Sequence, residues 1–224
     1  MKGILFALII LLVTAYGMAR TDQEWLTLGA KGRIGESDVL LIVDQEIQFD
    51  ASRLVNEESL LLLGYGIGPY FSTHLGHRVV REREAKSGHF ATEHRPTLDL
   101  CAAVPEFYTL KLDFRSRFEC RDKAGSRPYM RYRERVRLRT SWSVTAFRLS
   151  PYASEELFFS DRPGVSSSDA FDRTRSQVGI SFCLVPEYPD FSCAIYFMVQ
   201  HAICDGARTW SPLDIFGFAA NYTF

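Results

Sequence analysis

The last nine residues alternate without interruption. Phe216, Phe218, Ala220, Tyr222 and Phe224 share one parity, and Gly217, Ala219, Asn221 and Thr223 share the other; a β-strand sends these two sets to opposite faces. Residues 191–203 place Phe191, Cys193, Ile195, Phe197, Val199 and Ile203 opposite Ser192, Ala194, Tyr196, Met198, Gln200 and Ala202. Residues 108–120 place Tyr108, Leu110, Leu112, Phe114 and Phe118 opposite Thr109, Lys111, Asp113, Arg115, Arg117 and Glu119. Alternation alone fits a soluble sandwich as well as a barrel. Length separates them, because these runs exceed the ~5–6 residues of soluble strands and reach the ~10 that cross a bilayer when tilted. The pattern predicts an all-β fold, an antiparallel transmembrane β-barrel.

Strands are predicted near 38–49, 57–67, 71–83, 93–103, 108–121, 129–140, 145–159, 173–185, 190–203 and 212–224. The connections Pro69-Tyr70, Val104-Pro105-Glu106-Phe107, Ser141-Trp142-Ser143 and Pro186-Glu187-Tyr188-Pro189 are short, whereas 51–56, 85–92, 121–128, 160–172 and 205–211 are longer and more polar. That contrast matches short periplasmic turns and longer outer loops. Residues 24–34 also look strand-like, but an eleventh strand breaks the even count usual in bacterial barrels. Residues 20–37 are therefore expected at the periplasmic rim or in the lumen, with ten strands over 38–224; twelve strands is the alternative.

Before this stands Lys2, the apolar run 4–13, and small residues with Gly17 and Ala19 three and one positions ahead of Arg20. The run is too short for a membrane helix, which needs ~20 apolar residues, and its layout is that of a cleaved secretory signal over 1–19. Export to the outer membrane is expected, with outer-membrane lipids and the barrel-assembly machinery as partners. No Cys follows the cut, so no lipid anchor is expected. A net charge of -1 gives no general attraction to nucleic acid. Parity places Cys101 and Cys183 inward, Cys120 and Cys193 outward and Cys204 at a loop edge, so no disulfide is expected, and no metal or redox spacing occurs. No cofactor is implied.

Charge is concentrated on one parity. Arg131, Arg133, Arg135, Arg137 and Arg139 alternate with Met130, Tyr132, Val136 and Leu138, and guanidinium groups facing hydrocarbon cost ~2–4 kcal/mol each at the midplane. They must line the interior. The same parity brings in Lys111, Asp113, Arg115, Arg117, Glu119 and Arg121, and further round Asp44, Glu46, Arg78, Glu82, Glu93, Arg95, Asp99, Arg148, Glu156, Arg173 and Arg175. Such a lumen is either an ion-paired plug or an anion-attracting channel or phosphate or carboxylate site. A narrow barrel, in which buried charges persist only when paired, favours the plug, with Arg133 and Arg135 expected to pair with Asp113 and Glu119.

The five histidines, His74, His77, His89, His94 and His201, offer little for catalysis. His94 beside Glu93, and His89 amid Ser87 and Thr92, are the nearest approaches to a hydrolytic site, but neighbours along a strand face opposite ways. His77 and His201 fall on the lipid-facing parity. No catalytic residue is assigned.

Trp25, then Asp44-Gln45-Glu46-Ile47-Gln48-Phe49, Glu93-His94-Arg95-Pro96, Met130-Arg131-Tyr132-Arg133, Leu149-Ser150-Pro151-Tyr152 with Glu156-Leu157-Phe158, and the terminal Phe224, in this order, resemble the bacterial outer-membrane barrels known as domain of unknown function 2490. Met130 stands where an aromatic is expected and His94 where Asn is usual. The resemblance covers the mature chain, implies a barrel and supplies no activity. Tyr222 and Phe224 also look like the terminal signal read by barrel-assembly machinery, and equally suit an interfacial aromatic girdle.

Overall fold

The computed structural model describes residues 21–84, 87–144, 147–162, 170–184, 191–203 and 210–224. Residues 1–19, expected to form a secretory signal, Cys204 and the 186–189 connection lie outside the described residues. Twelve strands follow in order: β1 Gln23–Arg33, β2 Val39–Asp50, β3 Arg53–Gly66, β4 Phe71–Arg83, β5 Phe90–Ala103, β6 Leu110–Lys123, β7 Tyr129–Thr140, β8 Trp142–Val144, β9 Phe147–Ser160, β10 Phe171–Leu184, β11 Phe191–Ile203 and β12 Trp210–Thr223. Neighbouring strands pair antiparallel, with β7 and β8 both paired to β9, and β12 pairs with β1 in parallel, which closes the sheet into a barrel.

The count corrects the ten strands expected. Residues 24–34 belong to the wall as β1, held between β2 and β12. Eleven strands go round the barrel, and β8 is the twelfth segment. An odd number of alternating strands must close on a parallel pair, so β1 starts at one mouth and Phe224 lies at the other.

β8 is the far end of β7 in the same register. Arg139 pairs with Tyr152 and Trp142 with Leu149; the step between them falls opposite Pro151, which has no N–H to donate. Pro96 interrupts the β5–β6 ladder in the same way, between His94↔Asp122 and Thr97↔Glu119. Trp142 and Ser143 of the turn expected at 141–143 are therefore strand, and the pairing runs on to Val144 against Phe147.

The contrast in loop length is also smaller than expected. The polar stretch 51–56 reduces to a two-residue turn, Ala51-Ser52, with φ of 44° and 68°, the doubly left-handed geometry whose twist matches a hairpin. Its strands resume pairing at once, Asp50 against Arg53. At the mouth holding this turn β4, β6 and β9 end and β5, β7 and β10 begin; the mouth of Phe224 carries 34–38, 67–70 and 104–109.

A hydrogen-bonded path from Arg33 through Leu40, Gly64, His74, Asp99, Arg117, Arg133, Phe158, Arg173 and Ala202 returns at Ser211, four residues before the partner of Gln23. The stagger of about fourteen residues per circuit tilts the strands as a closed barrel requires. It also brings residues far apart in sequence to one level of the interior.

Candidate functional site: the charged barrel interior

The barrel is inverted relative to a soluble protein. On the outward parity, Leu75 is 65% exposed and Leu63 53%, whereas inward Glu119 is 0% and Arg117 2%. Buried charge of this density survives only when hydrogen-bonded, and the partners can be traced around the wall.

Glu119 on β6 lies at the centre. It accepts from Arg131 Nε at 2.8 Å and Nη2 at 2.5 Å, and from Arg133 Nη1 at 3.1 Å, both on β7. Arg133 turns its other nitrogen to both oxygens of Glu156 on β9, at 3.0 Å each. Glu156 also accepts from Arg115 at 2.8 Å and has Arg175 at 4.0 Å. Asp99 on β5 takes Arg117 as a two-pronged pair, 2.6 Å on each oxygen. Glu93 takes Arg95 at 2.9 and 3.0 Å together with Arg121. These pairs follow from geometry: a residue and its cross-strand or diagonal neighbour share one face, within reach of a guanidinium fork.

Phe158 forms the floor of this network. Its ring is 1% exposed, and Arg133 lies 4.6 Å and Arg175 5.0 Å from its centroid. Arg175 is also 4.9 Å from the ring of Trp25. Cation–π contact of this kind stabilises a desolvated guanidinium. Trp25 continues into the apolar part of the interior, packed with Tyr196, Met198 and Ile215. The lumen thus has a charged wall, β3 to β10, and an apolar and aromatic wall, β11, β12 and β1.

Two cavities flank this level. The smaller, about 240 Å³, opens among Gln48, Asn56, Arg95 and Arg121; the larger, about 550 Å³, among Lys31, Asp44, Arg115, Arg135, Arg137, Arg139, Tyr152 and Asn221. Trp25, Arg78, Arg133 and Arg175 line both. They lie at the level between the two cavities, the larger of which faces the mouth that holds Phe224.

Of the residues singled out from sequence, Arg95, Asp99, Arg117, Glu119, Arg131, Arg133 and Glu156 are all buried. The partners differ in detail from those expected. Asp113 pairs with Arg139 at 3.1 Å and Arg137 at 3.4 Å, near the mouth, and not with Arg133. Arg135 forms no ion pair within 4 Å among the described residues, although the register sets it opposite Arg115 on β6 and Glu156 on β9. Tyr222 and Phe224 lie at the rim with their rings 6.4 Å apart, and the Phe224 N–H donates to the Lys31 carbonyl at 2.9 Å.

Sequence reasoning missed Glu58, which pairs with Arg78 and lies 3.8 Å from Arg95. The run Leu60 to Leu63 hides the parity of β3, because Leu60 and Leu62 face in while Leu61 and Leu63 face out. Phe158 shares the inward parity of Glu156 and was legible on that ground alone; Trp25 was not, because β1 was left out of the expected wall.

The histidines separate. His77 and His94 meet on the outer face, nitrogen to nitrogen at 3.1 Å, so His94 turns away from Glu93. His74 is inside, with Nδ1 3.7 Å from Cys101 Sγ, but Asp99 across from it gives both oxygens to Arg117. Among the described residues no three His, Cys, Asp or Glu side chains form a metal site, and Cys101, Cys120, Cys183 and Cys193 are free thiols.

Fold and interior define a closed β-barrel with a charged, ion-paired lumen. The chain belongs to a family of proteins of unknown function, DUF2490, whose model matches residues 22–202. No curated protein matches it.

Proposed function

We propose that the protein is an outer-membrane β-barrel whose lumen is closed at mid-height by the Trp25, Arg78, Arg133 and Arg175 waist. The observation that carries this reading is the inversion of polarity: a belt including Leu61, Leu63, Leu75, Leu100, Leu138 and Val178 is exposed, while the charges are inside. In water, such a belt is an aggregation surface; in a bilayer it is the required lipid contact.

Aromatic residues mark both edges of the belt. Tyr65, Phe71, Trp142, Phe191, Tyr222 and Phe224 are exposed at one rim, and a ladder of rings, Phe159 to Phe171 to Trp210, climbs to the other at 5.3 Å per step. Two such girdles are what interfaces select. Two outward carboxylates near the middle of their strands are hydrogen-bonded locally: Ser116 donates to Glu134 at 2.7 Å, and Thr174 to Glu155.

Residues 1–19 serve as the export signal in this reading, Phe224 as the assembly signal at the periplasmic rim, and the waist as a plug. The test is refolding from denaturant into phosphatidylcholine vesicles. The expected product floats with the vesicles, shows heat-modifiable mobility in gels and conducts little in planar bilayers. A chain that stays monodisperse in water without detergent, and leaves the vesicles empty, overturns the proposal.

A further inference from the structure

Arginines outnumber carboxylates in the lining of both vestibules. In the smaller, Arg95 and Arg121 share Glu93, Arg78 holds Glu58, and Arg131 holds Glu119. In the larger, the cations outnumber their partners. Arg137 and Arg139 divide one carboxylate, Asp113. Arg115 shares Glu156 with Arg133, at 2.8 Å, and Arg135, set opposite Glu156 on β9, has no ion pair within 4 Å among the described residues. The Nε atoms of Arg115 and Arg137 are buried without a hydrogen-bond partner, and that of Arg139 faces Asp113 at 3.1 Å.

Unpaired guanidinium donors facing an enclosed space cost free energy unless something occupies them. The space is the right size: about 550 Å³ falls within the usual range of small-molecule sites. It is blind, because the waist closes its inner end, so an anion entering from the mouth stops there. The rest of the lining mixes the hydroxyl and amide groups of Tyr152, Ser154, Gln177, Asn221 and Thr223 with Lys31, Asp44 and Glu46, and Ser154 and Tyr152 are the cross-strand neighbours of Arg137 and Arg139.

We propose that this vestibule binds a phosphate ester of a small polyhydroxylated compound. Its phosphate sits against Arg115, Arg135, Arg137 and Arg139, and its hydroxylated body faces Tyr152, Ser154 and Asn221. A dianionic phosphate, with three terminal oxygens, suits several converging forks, whereas a carboxylate is satisfied by one. The proposal rests on the closed-waist reading. The same chemistry could come from a soluble sugar phosphate or from a phosphomonoester headgroup entering at the rim.

The experiment titrates purified protein in neutral detergent micelles with glucose 6-phosphate, and in a second arm with micelles carrying phosphatidic acid, following heat by calorimetry. The expected result is saturable one-to-one binding in one of the arms, which identifies the source. Arg135→Gln should weaken it at least tenfold, and Arg83→Gln, an equal loss of charge at the opposite mouth, should leave it unchanged. Arg135 supports no ion pair, so its removal should leave the fold intact; Arg139→Gln serves as the second variant should the first not refold. Saturable binding absent from both arms, or present and unaffected by either arginine variant, overturns the proposal. Because micelles suffice, that failure is distinct from a failure to insert into vesicles.

Discussion

Replacing Glu119 by alanine tests whether the waist is dry. This carboxylate is 0% exposed and holds two guanidinium groups through contacts of 2.8, 2.5 and 3.1 Å. Its loss leaves Arg131 without the partner that holds it and strips one of two from Arg133, which keeps Glu156. Breaking a buried pair by removing one member costs about 3–5 kcal/mol. Asp113→Asn is the internal comparison. Its contacts are 3.1 and 3.4 Å, to arginines 41% and 33% exposed, and exposed pairs contribute about 0–1 kcal/mol.

Equilibrium unfolding in guanidinium, read from tryptophan fluorescence in micelles, should place Glu119→Ala at least about 2 kcal/mol below Asp113→Asn. Trp25, beside Arg175, reports on the waist directly. A third variant, Glu119→Met with Arg131→Met, should recover most of the loss, because apolar groups of similar volume replace a buried pair at little cost. If Glu119→Ala and Asp113→Asn fall within about 1 kcal/mol of each other, water reaches the waist and the plug is the wrong description.

Two further outcomes follow from local geometry. A Cβ at Gly217 would run into the ring of Tyr196, and one at Gly66 meets nothing within 4 Å; Gly217→Ala should therefore lower stability by about 1–3 kcal/mol and Gly66→Ala should be near neutral in the same assay. N-terminal sequencing of protein recovered from outer membranes should begin near Arg20, and retention of Met1 would reject the secretory role of 1–19.

Much of the wall was legible because its strands carry strict alternation. β7 is the clearest case: the arginine row could face only one way, and its bounds match the 129–140 expected. β3 was the opposite, since four consecutive leucines carry no period and leave the inward Glu58 undetected. The pairing of charges was less legible than their parity. Arg135 and Glu119 share the inward parity, yet the register sets Arg135 opposite Arg115 and Arg131 opposite Glu119. Single-strand patterns determine faces; partners depend on how one strand slides against the next.

The strand count and the closed lumen are two sides of one fact. β1 was set aside on the expectation of an even number, and that choice removed Trp25, Thr27 and Lys31 from the interior. Barrel diameter grows with strand number, so a ten-stranded wall leaves less space around the same Arg133 and Glu156 pair. The eleventh strand widens the circumference enough for the larger cavity, and at the same time supplies the indole against which Arg175 rests, 4.9 Å from its ring. The aromatic half of the waist thus comes from the segment that sequence parity excluded. Parallel closure is what makes this possible: pairing Trp25 with Gly217 places a bulky ring beside a residue without a side chain, at the level where the arginines converge.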